Sequence, residues 1–382
     1  MIRDSRDILI IGGGVIGLSI ARELSVDHSV TIIDKSTVGN EASYASGGML
    51  APQGELSEGD FQVLCLKSNE LYPDFVCNIE KETGICCYRR DAATLAIAIT
   101  EEDEKEYRYT YERQKADGLI VEWITRSDAL KHEPELNKKV RGGLYLPNDK
   151  HLENRALVTA LINSCERRGV EIINGAAAIK IITNGSKVIG VNTVLGDIYA
   201  DLVVNAAGAW SSTISVPDES LRPSVFPVRG QMLSLKLPDA DFLSRTVRSP
   251  RSYLIPRYNN RIFVGATMEN VGYEKKHTVW GLQKLLNGAS ELFPKLESST
   301  IEEFWTGLRP GTPDNFPILG VTECENYIMA TGFFRNGLLL TPVIAMTISE
   351  LVRRKNVPKL IESFNMSRFA SGIVSYGNVP KS

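Results

Sequence analysis

The sequence predicts an α/β fold in which a doubly wound parallel sheet is interleaved with an α+β part built on a mainly antiparallel sheet. Three observations lead there. A strand, a glycine turn, a helix and a second strand ending in an acid follow one another within about 30 residues near the N-terminus. Alternating helix and strand texture returns in two later stretches, and a strand-rich stretch separates them. At ~150 residues per domain, a chain of 382 residues suggests two domains.

Residues 8–11 form a short apolar strand, glycines follow, and apolar positions at helical spacing run to Leu24. A second strand, 30–33, ends at Asp34. A small-residue loop from Ala42 to Gly54 leads into a helix over 60–82. The highly charged segment 101–118 reads as a helix whose charges mark a solvated face rather than a binding site. A helix over 154–168 precedes a strand at 170–173, two alternating segments split by Asn184-Gly185, and a strand at 200–205 that runs into AAGAW. From 225 to 301 the pattern is strand-rich (PVRGQMLSL, SYLIP, NRIFVGATM) with one helix over 279–292. A strand at 327–330, a glycine-rich turn and a helix over 338–354 close the folded part, with Ile344, Ile348 and Leu351 on one face. Pro342 falls in the first turn of that helix, where proline is tolerated. The tail after Phe369 has no periodicity and is expected to fray. The nucleotide-binding part is therefore assigned residues 1–80, 143–215 and 308–368, the substrate part 81–142 and 216–307, and a flexible tail 369–382.

Composition narrows the function. Lys+Arg 43 against Asp+Glu 46 leaves a net charge of -3, without the basic excess that a nucleic-acid partner requires. Six cysteines without a C-x-x-C pair argue against a disulfide scaffold or a metal site, and are read as small apolar residues. The mixed-charge N-terminus resembles neither a signal peptide nor a span, and the apolar run 337–346 is about half of what a bilayer needs. A cytoplasmic protein without an integral membrane segment is expected.

Gly12-x-Gly14-x-x-Gly17 follows a strand and opens a helix, the context that gives the pattern meaning. Gly12 allows the tight turn, Gly14 lets backbone approach a pyrophosphate, and Gly17 brings the helix close. The helix N-terminus offers unpaired N–H donors to phosphate. Asp34 is placed to accept ribose hydroxyls, and an acid there disfavours a 2′-phosphate. This Rossmann-like unit alone does not separate FAD from NAD. Two further segments, ASYASGGML and ATGFFRNGLLL, are rich in glycine and small residues, as close approach of backbone to a planar ring demands.

Together these motifs resemble the D-amino-acid-oxidase type of FAD-dependent oxidoreductase, and within it the bacterial glycine-oxidase branch of the thiamine pathway. The resemblance runs from about residue 7 to about residue 369 and is carried by IIGGGVIG with Asp34, SGGML, ADLVVNAAGAW, PVRGQ, YLIPR followed by GATM, GLRPGTPDNFPILG and GFFRNGLLLTP. It implies a GR2-type FAD-binding domain. It also implies noncovalent FAD, since the nearest cysteine after the PGTPDN segment is Cys324.

By resemblance, Gly12, Gly14, Val15, Ile16, Gly17, Asp34 and Lys35 bind the ADP half of the cofactor. Ala42, Ser43, Gly47, Gly48 and Met49 reach the pyrophosphate and flavin, and Ala178 contacts the adenine side. Phe333, Phe334, Arg335, Asn336, Gly337, Leu338 and Leu339 wrap the flavin pyrimidine. On the substrate side, Arg309 is the carboxylate-binding arginine, Tyr253 adds a hydroxyl, and Arg335, Met268 and Glu55 border the pocket. Guanidinium grips a carboxylate bidentately, which suits an α-amino acid. The resemblance further implies hydride transfer from the α-carbon to flavin N5 without an obligatory protein acid or base, and reoxidation by O2 to hydrogen peroxide. Glycine, sarcosine and small D-amino acids are the implied substrates. Handover of the imine to a thiazole synthase and a homo-oligomer, tetrameric by family precedent, are implied as well.

The chain departs from that branch at three places. Phe333 stands where His is frequent, Arg229 where Lys is common, and Asn315 at a usual glycine. The alternatives are a D-amino acid or proline dehydrogenase that uses an acceptor other than O2, and a flavin-binding scaffold with a dead pocket.

Overall fold

A computed structural model describes residues 6–54, 59–237 and 242–369. Glu55 and the tail beyond Phe369 lie outside the described residues.

Short, continuously apolar strands favour a sheet buried on both faces. Arg6–Ile11, Val30–Ile33, Glu171–Ile173, Gly196–Asn205 and Tyr327–Thr331 pair in parallel, in the order 327–331, 196–205, 6–11, 30–33, 171–173. Ile318–Val321 closes one edge antiparallel. Side chains alternate between the faces. Ile8, Ile10 and Ile32 meet the helices Val15–Leu24, Gly59–Thr83, Asn154–Arg167 and Gly337–Arg354. Leu9, Ile11 and Ile33 meet residues of Ala178–Asn184 and Lys187–Thr193, which extend Gly196–Asn205 as an antiparallel layer. Helices thus cover one face and strands the other.

The second sheet runs in the order Thr300–Gly311, Phe226–Lys236, Arg261–Gly265, Tyr253–Arg257, Val247–Arg248, Thr94–Ala98, Gly142–Leu146, Glu122–Thr125. All its pairs are antiparallel except 247–248 with 94–98. Period-two alternation again divides it. Leu233, Leu235, Leu254, Ile262 and Val264 bury against Leu285, Ala289 and Leu292 of the helix Val279–Leu292. Met232, Ile255, Phe263 and Trp305 point the other way and pack on Ala45, in the glycine-rich loop of the first part. The face that the helix leaves uncovered is therefore the face that meets this glycine-rich loop. Gly142–Leu146 and Thr300–Gly311 both belong to this second sheet, so divisions drawn at 142/143 and 307/308 fall inside strands.

The helix Gly337–Arg354 has a specific device at its start. Pro342 is the sixth residue of the helix, past the first turn where the sequence placed it, and having no N–H it leaves the Leu338 carbonyl without its i+4 donor. The buried Tyr72 hydroxyl donates to that carbonyl instead. The Ser68 hydroxyl donates to the Leu339 carbonyl at 2.6 Å. The helix Gly59–Thr83 thus fixes the first turn of its neighbour from behind. Among the described residues, no helix is long and apolar enough to cross a membrane.

Candidate active site

The two sheets meet around a cavity of about 570 Å³. One end is made of backbone. Gly12 has φ +100°, and a Cβ there would lie 2.4 Å from the Ala206 carbonyl oxygen, so only glycine fits. Gly17 stands behind the turn and does not line the cavity; its Cβ would sit 1.9 Å from the Gly12 carbonyl oxygen. Its place is helix packing.

Asp34 holds this turn together. Its carboxylate accepts the Gly13 N–H at 2.8 Å and the Ser36 N–H at 2.9 Å. Burial raises its pKa despite those bonds. Oδ1 also accepts the Ser36 hydroxyl at 3.4 Å, and Oδ2 keeps a further lone pair for a hydroxyl donor. Ser43 Oγ accepts the Val15 N–H at 3.0 Å and so ties the second loop to the helix N-terminus. Lys35 Nζ lies 2.5 Å from Glu41 Oε1 and 3.9 Å from the centre of the Trp210 ring.

The other end is made of side chains on the uncovered sheet face. Val228 pairs with Arg309, Gly230 with Gly307, and Tyr253 with Gly265. The glycines make space for the large neighbours. A Cβ at Gly230 would lie 2.2 Å from Arg309 Nη1, and one at Gly265 2.4 Å from the Tyr253 ring. Arg309 Nη1 donates to the Thr267 carbonyl at 3.1 Å, and Tyr253 OH approaches Met232 Sδ at 3.6 Å. Arg335 is exposed at the rim, and its Nη2 donates to Met268 Sδ at 3.2 Å.

The late turn joins the two ends. Phe334 adopts φ +45°, left-handed for a bulky residue, and is held there as its N–H donates to the Pro310 carbonyl at 2.9 Å. Asn336 N–H closes the turn on the Phe333 carbonyl at 2.8 Å, and the helix Gly337–Arg354 starts at the cavity wall. The positive end of its dipole therefore lies at the cavity wall. Phe333 is buried against the helical core while also lining the cavity.

Gly12, Gly14, Val15, Ile16, Asp34, Lys35, Ala42, Ser43, Gly47, Gly48, Met49, Ala178 and residues 333–339 all line this one cavity, as do Arg309, Tyr253 and Met268. Residues 206–210, Gly230, Gly265 and Arg248 line it too and were not singled out from the sequence as site residues. The AAGAW run after a strand was the available signal for 206–210. Gly230 and Gly265 sit in the motifs PVRGQ and GATM, but that they make room for Arg309 and Tyr253 follows only from the register. Behind Gly54, which lines the cavity, fully buried Asp149 accepts the Gln53 N–H at 3.3 Å, and burial pushes its carboxyl up to about 7.

Residues 7–351 match the sequence profile of a family described as FAD dependent oxidoreductase. The chain belongs to that family. FAD is its cofactor, and the glycine-turn end fits the group, since Gly12, Gly14, Gly47 and Gly48 bring side-chain-free backbone to the cavity wall beside the Asp34 carboxylate. The chain is 35% identical over 369 residues to the bifunctional protein ThiO/ThiG of Trichormus variabilis, covering 96% of this chain and 55% of that protein. It spans about half the length of such bifunctional relatives. It is 32% identical over 367 residues to glycine oxidase of Geobacillus kaustophilus, covering 95% of this chain and 97% of that protein. The crystal structure of glycine oxidase from the same organism superposes with a TM-score of 0.90 at 31% identity, over 95% of this chain and 99% of that one. L-proline dehydrogenase from P. horikoshii, at 22% identity and a TM-score of 0.85, shares the fold.

Proposed function

We propose that this protein is an FAD-dependent amino acid oxidase acting on glycine, with sarcosine and small D-amino acids as further substrates, O2 as acceptor and hydrogen peroxide as product. The observation that carries this reading is Arg309 and Tyr253 on one sheet face, given room by Gly230 and Gly265, at the end of the cavity remote from the glycine turn. Likeness to proteins named glycine oxidase supports the substrate, and likeness to ThiO/ThiG supports a link to thiamine, with a thiazole synthase as receiver of the imine.

In this reading Gly12, Gly14 and the helix start hold the pyrophosphate, Asp34 the ribose, and residues 42–49 with 333–339 the flavin. FAD supplies the two-electron acceptor for the amine's C–H bond. Arg309 clamps the substrate carboxylate, Tyr253 adds a hydroxyl donor, and Arg335 with Met268 closes the rim. The clamp restricts a small amino acid to one attitude, and such positioning contributes most of the acceleration. The late-turn helix N-terminus stabilises negative charge at the ring edge.

The test is a panel of glycine, sarcosine, D-alanine, D-proline and L-proline under air with peroxide detection, and anaerobically with flavin bleaching. Stoichiometric peroxide from glycine is expected. Turnover that needs a dye acceptor would replace the oxidase with a dehydrogenase, and a flavin that no amine bleaches would leave only a binding scaffold.

A further inference from the structure

The strand that carries Tyr253 ends in Arg257, whose side chain is fully buried. Alternation places Tyr253, Ile255 and Arg257 on the same face, turned toward the cofactor loop. There the guanidinium donates to two backbone carbonyls, Gly47 through Nη2 and Leu152 through Nη1. Nη2 also lies 3.4 Å from Asn154 Oδ1. Asn154, itself fully buried, continues the tie, with its Nδ2 donating to the carbonyls of Ser43 and Tyr44 at 2.9 Å each. Gly48 has φ +77°, and a Cβ there would lie 2.5 Å from Arg257 Nη2, so glycine lets the loop close on the guanidinium.

A buried cation is costly unless its partners repay the lost hydration. The carboxylate paired with Arg257, Glu153, is 3.8 Å away, and the Phe263 ring centre is 4.4 Å away. Arg155 and Arg261 add repulsion, and burial pulls the guanidinium down to about 10, still charged at neutral pH. The acceptors that hold this charge are backbone atoms of the loop that lines the cavity and of the segment leading into the helix Asn154–Arg167. Lysine offers no planar fork able to grip both carbonyls.

We propose that Arg257, acting through Asn154, is a positioning residue that fixes residues 43–48 against the substrate sheet and thereby sets how tightly and in what attitude the flavin is held relative to Arg309 and Tyr253. One strand then carries a substrate contact at its start and the anchor of the cofactor loop at its end. The inference rests on FAD lying beside this loop and does not depend on which amine is oxidised.

The test compares Arg257→Lys and Asn154→Ser with Arg261→Lys, a charge-preserving change at a hairpin neighbour that makes none of these hydrogen bonds, as control. The readouts are the rate of FAD release from diluted holoenzyme, the visible absorption and circular dichroism of bound flavin, and kcat and KM with the best amine of the wild-type protein. Arg257→Lys is expected to release FAD about tenfold faster or more, from loss of a charge-assisted bond. Its flavin bands should shift, and kcat should fall while KM moves by less than about twofold. Asn154→Ser should change in the same direction by less, and Arg261→Lys should match wild type. A folded Arg257→Lys with wild-type release and spectrum, even with a lower melting temperature, overturns the proposal. If that variant does not fold, unchanged release and spectrum in Asn154→Ser overturn it. Wild-type holoenzyme that oxidises no amine would remove the amine-oxidase reading and leave release and spectrum still decisive here.

Discussion

The two ends of the cavity are built on opposite principles. The glycine-turn end is made mainly of backbone from residues 12–49 closed by Ala206, in which Gly12 excludes every side chain, Asp34 braces the Gly13 and Ser36 amides, and Ser43 meets the Val15 amide. The Arg309 end is made of side chains from three strands, spaced by the glycines of their neighbours. At the first end, added volume does the damage. At the second, removal of a functional group does.

The sharpest way to break the contrast is Gly12→Val. Its Cβ would strike the Ala206 carbonyl from a left-handed backbone, so flavin retention should be lost entirely, read as absorbance of the purified protein. A yellow variant would show that the turn tolerates bulk. Next is Arg309→Ala, which should stay yellow while KM for glycine rises about 10²- to 10³-fold, because the charged clamp is removed and the cofactor end is untouched. An unchanged KM would place the carboxylate elsewhere. Tyr253→Phe should raise KM by about tenfold, since one hydrogen bond to a charged group is lost and the ring still fills the gap at Gly265.

The smallest effect concerns the buried acid behind Gly54. Burial raises Asp149 to about 7 from an ordinary 3.8, so the folded protein keeps a proton that the unfolded chain releases. The stability this contributes is present below about pH 4 and is lost as pH rises through about 7. Asp149→Asn carries no such dependence. Its melting temperature at saturating FAD should gain on wild type between about pH 4 and 8, by on the order of a few °C. Parallel melting curves would remove the buried acid from the account.

The same contrast explains what could be read from the sequence. The strand, turn, helix and acid of residues 8–34 are local, their periodicities are strong, and each glycine has a stated steric reason. The helix over 279–292 was legible from amphipathic spacing and occupies those bounds. Arg309 and Tyr253 stand 56 positions apart in the chain, and nothing in their own neighbourhoods shows that they share a face. That fact lives in the pairing of Phe226–Lys236 with Thr300–Gly311 and of Tyr253–Arg257 with Arg261–Gly265. Resemblance placed both residues at one pocket; their shared face follows only from the pairing. The strands at 94–98, 122–125 and 142–146 went unassigned because each is short, and alanine and glycine in the first and last blunt the alternation.

The chain visits the first sheet, leaves for the second, returns, leaves again and comes back to finish. No single cut in the gene therefore frees either half, and recombination cannot exchange the substrate-facing half as a cassette. A lineage with this architecture has to acquire new preferences in place, one residue at a time, on a surface interwoven with the glycine-turn half.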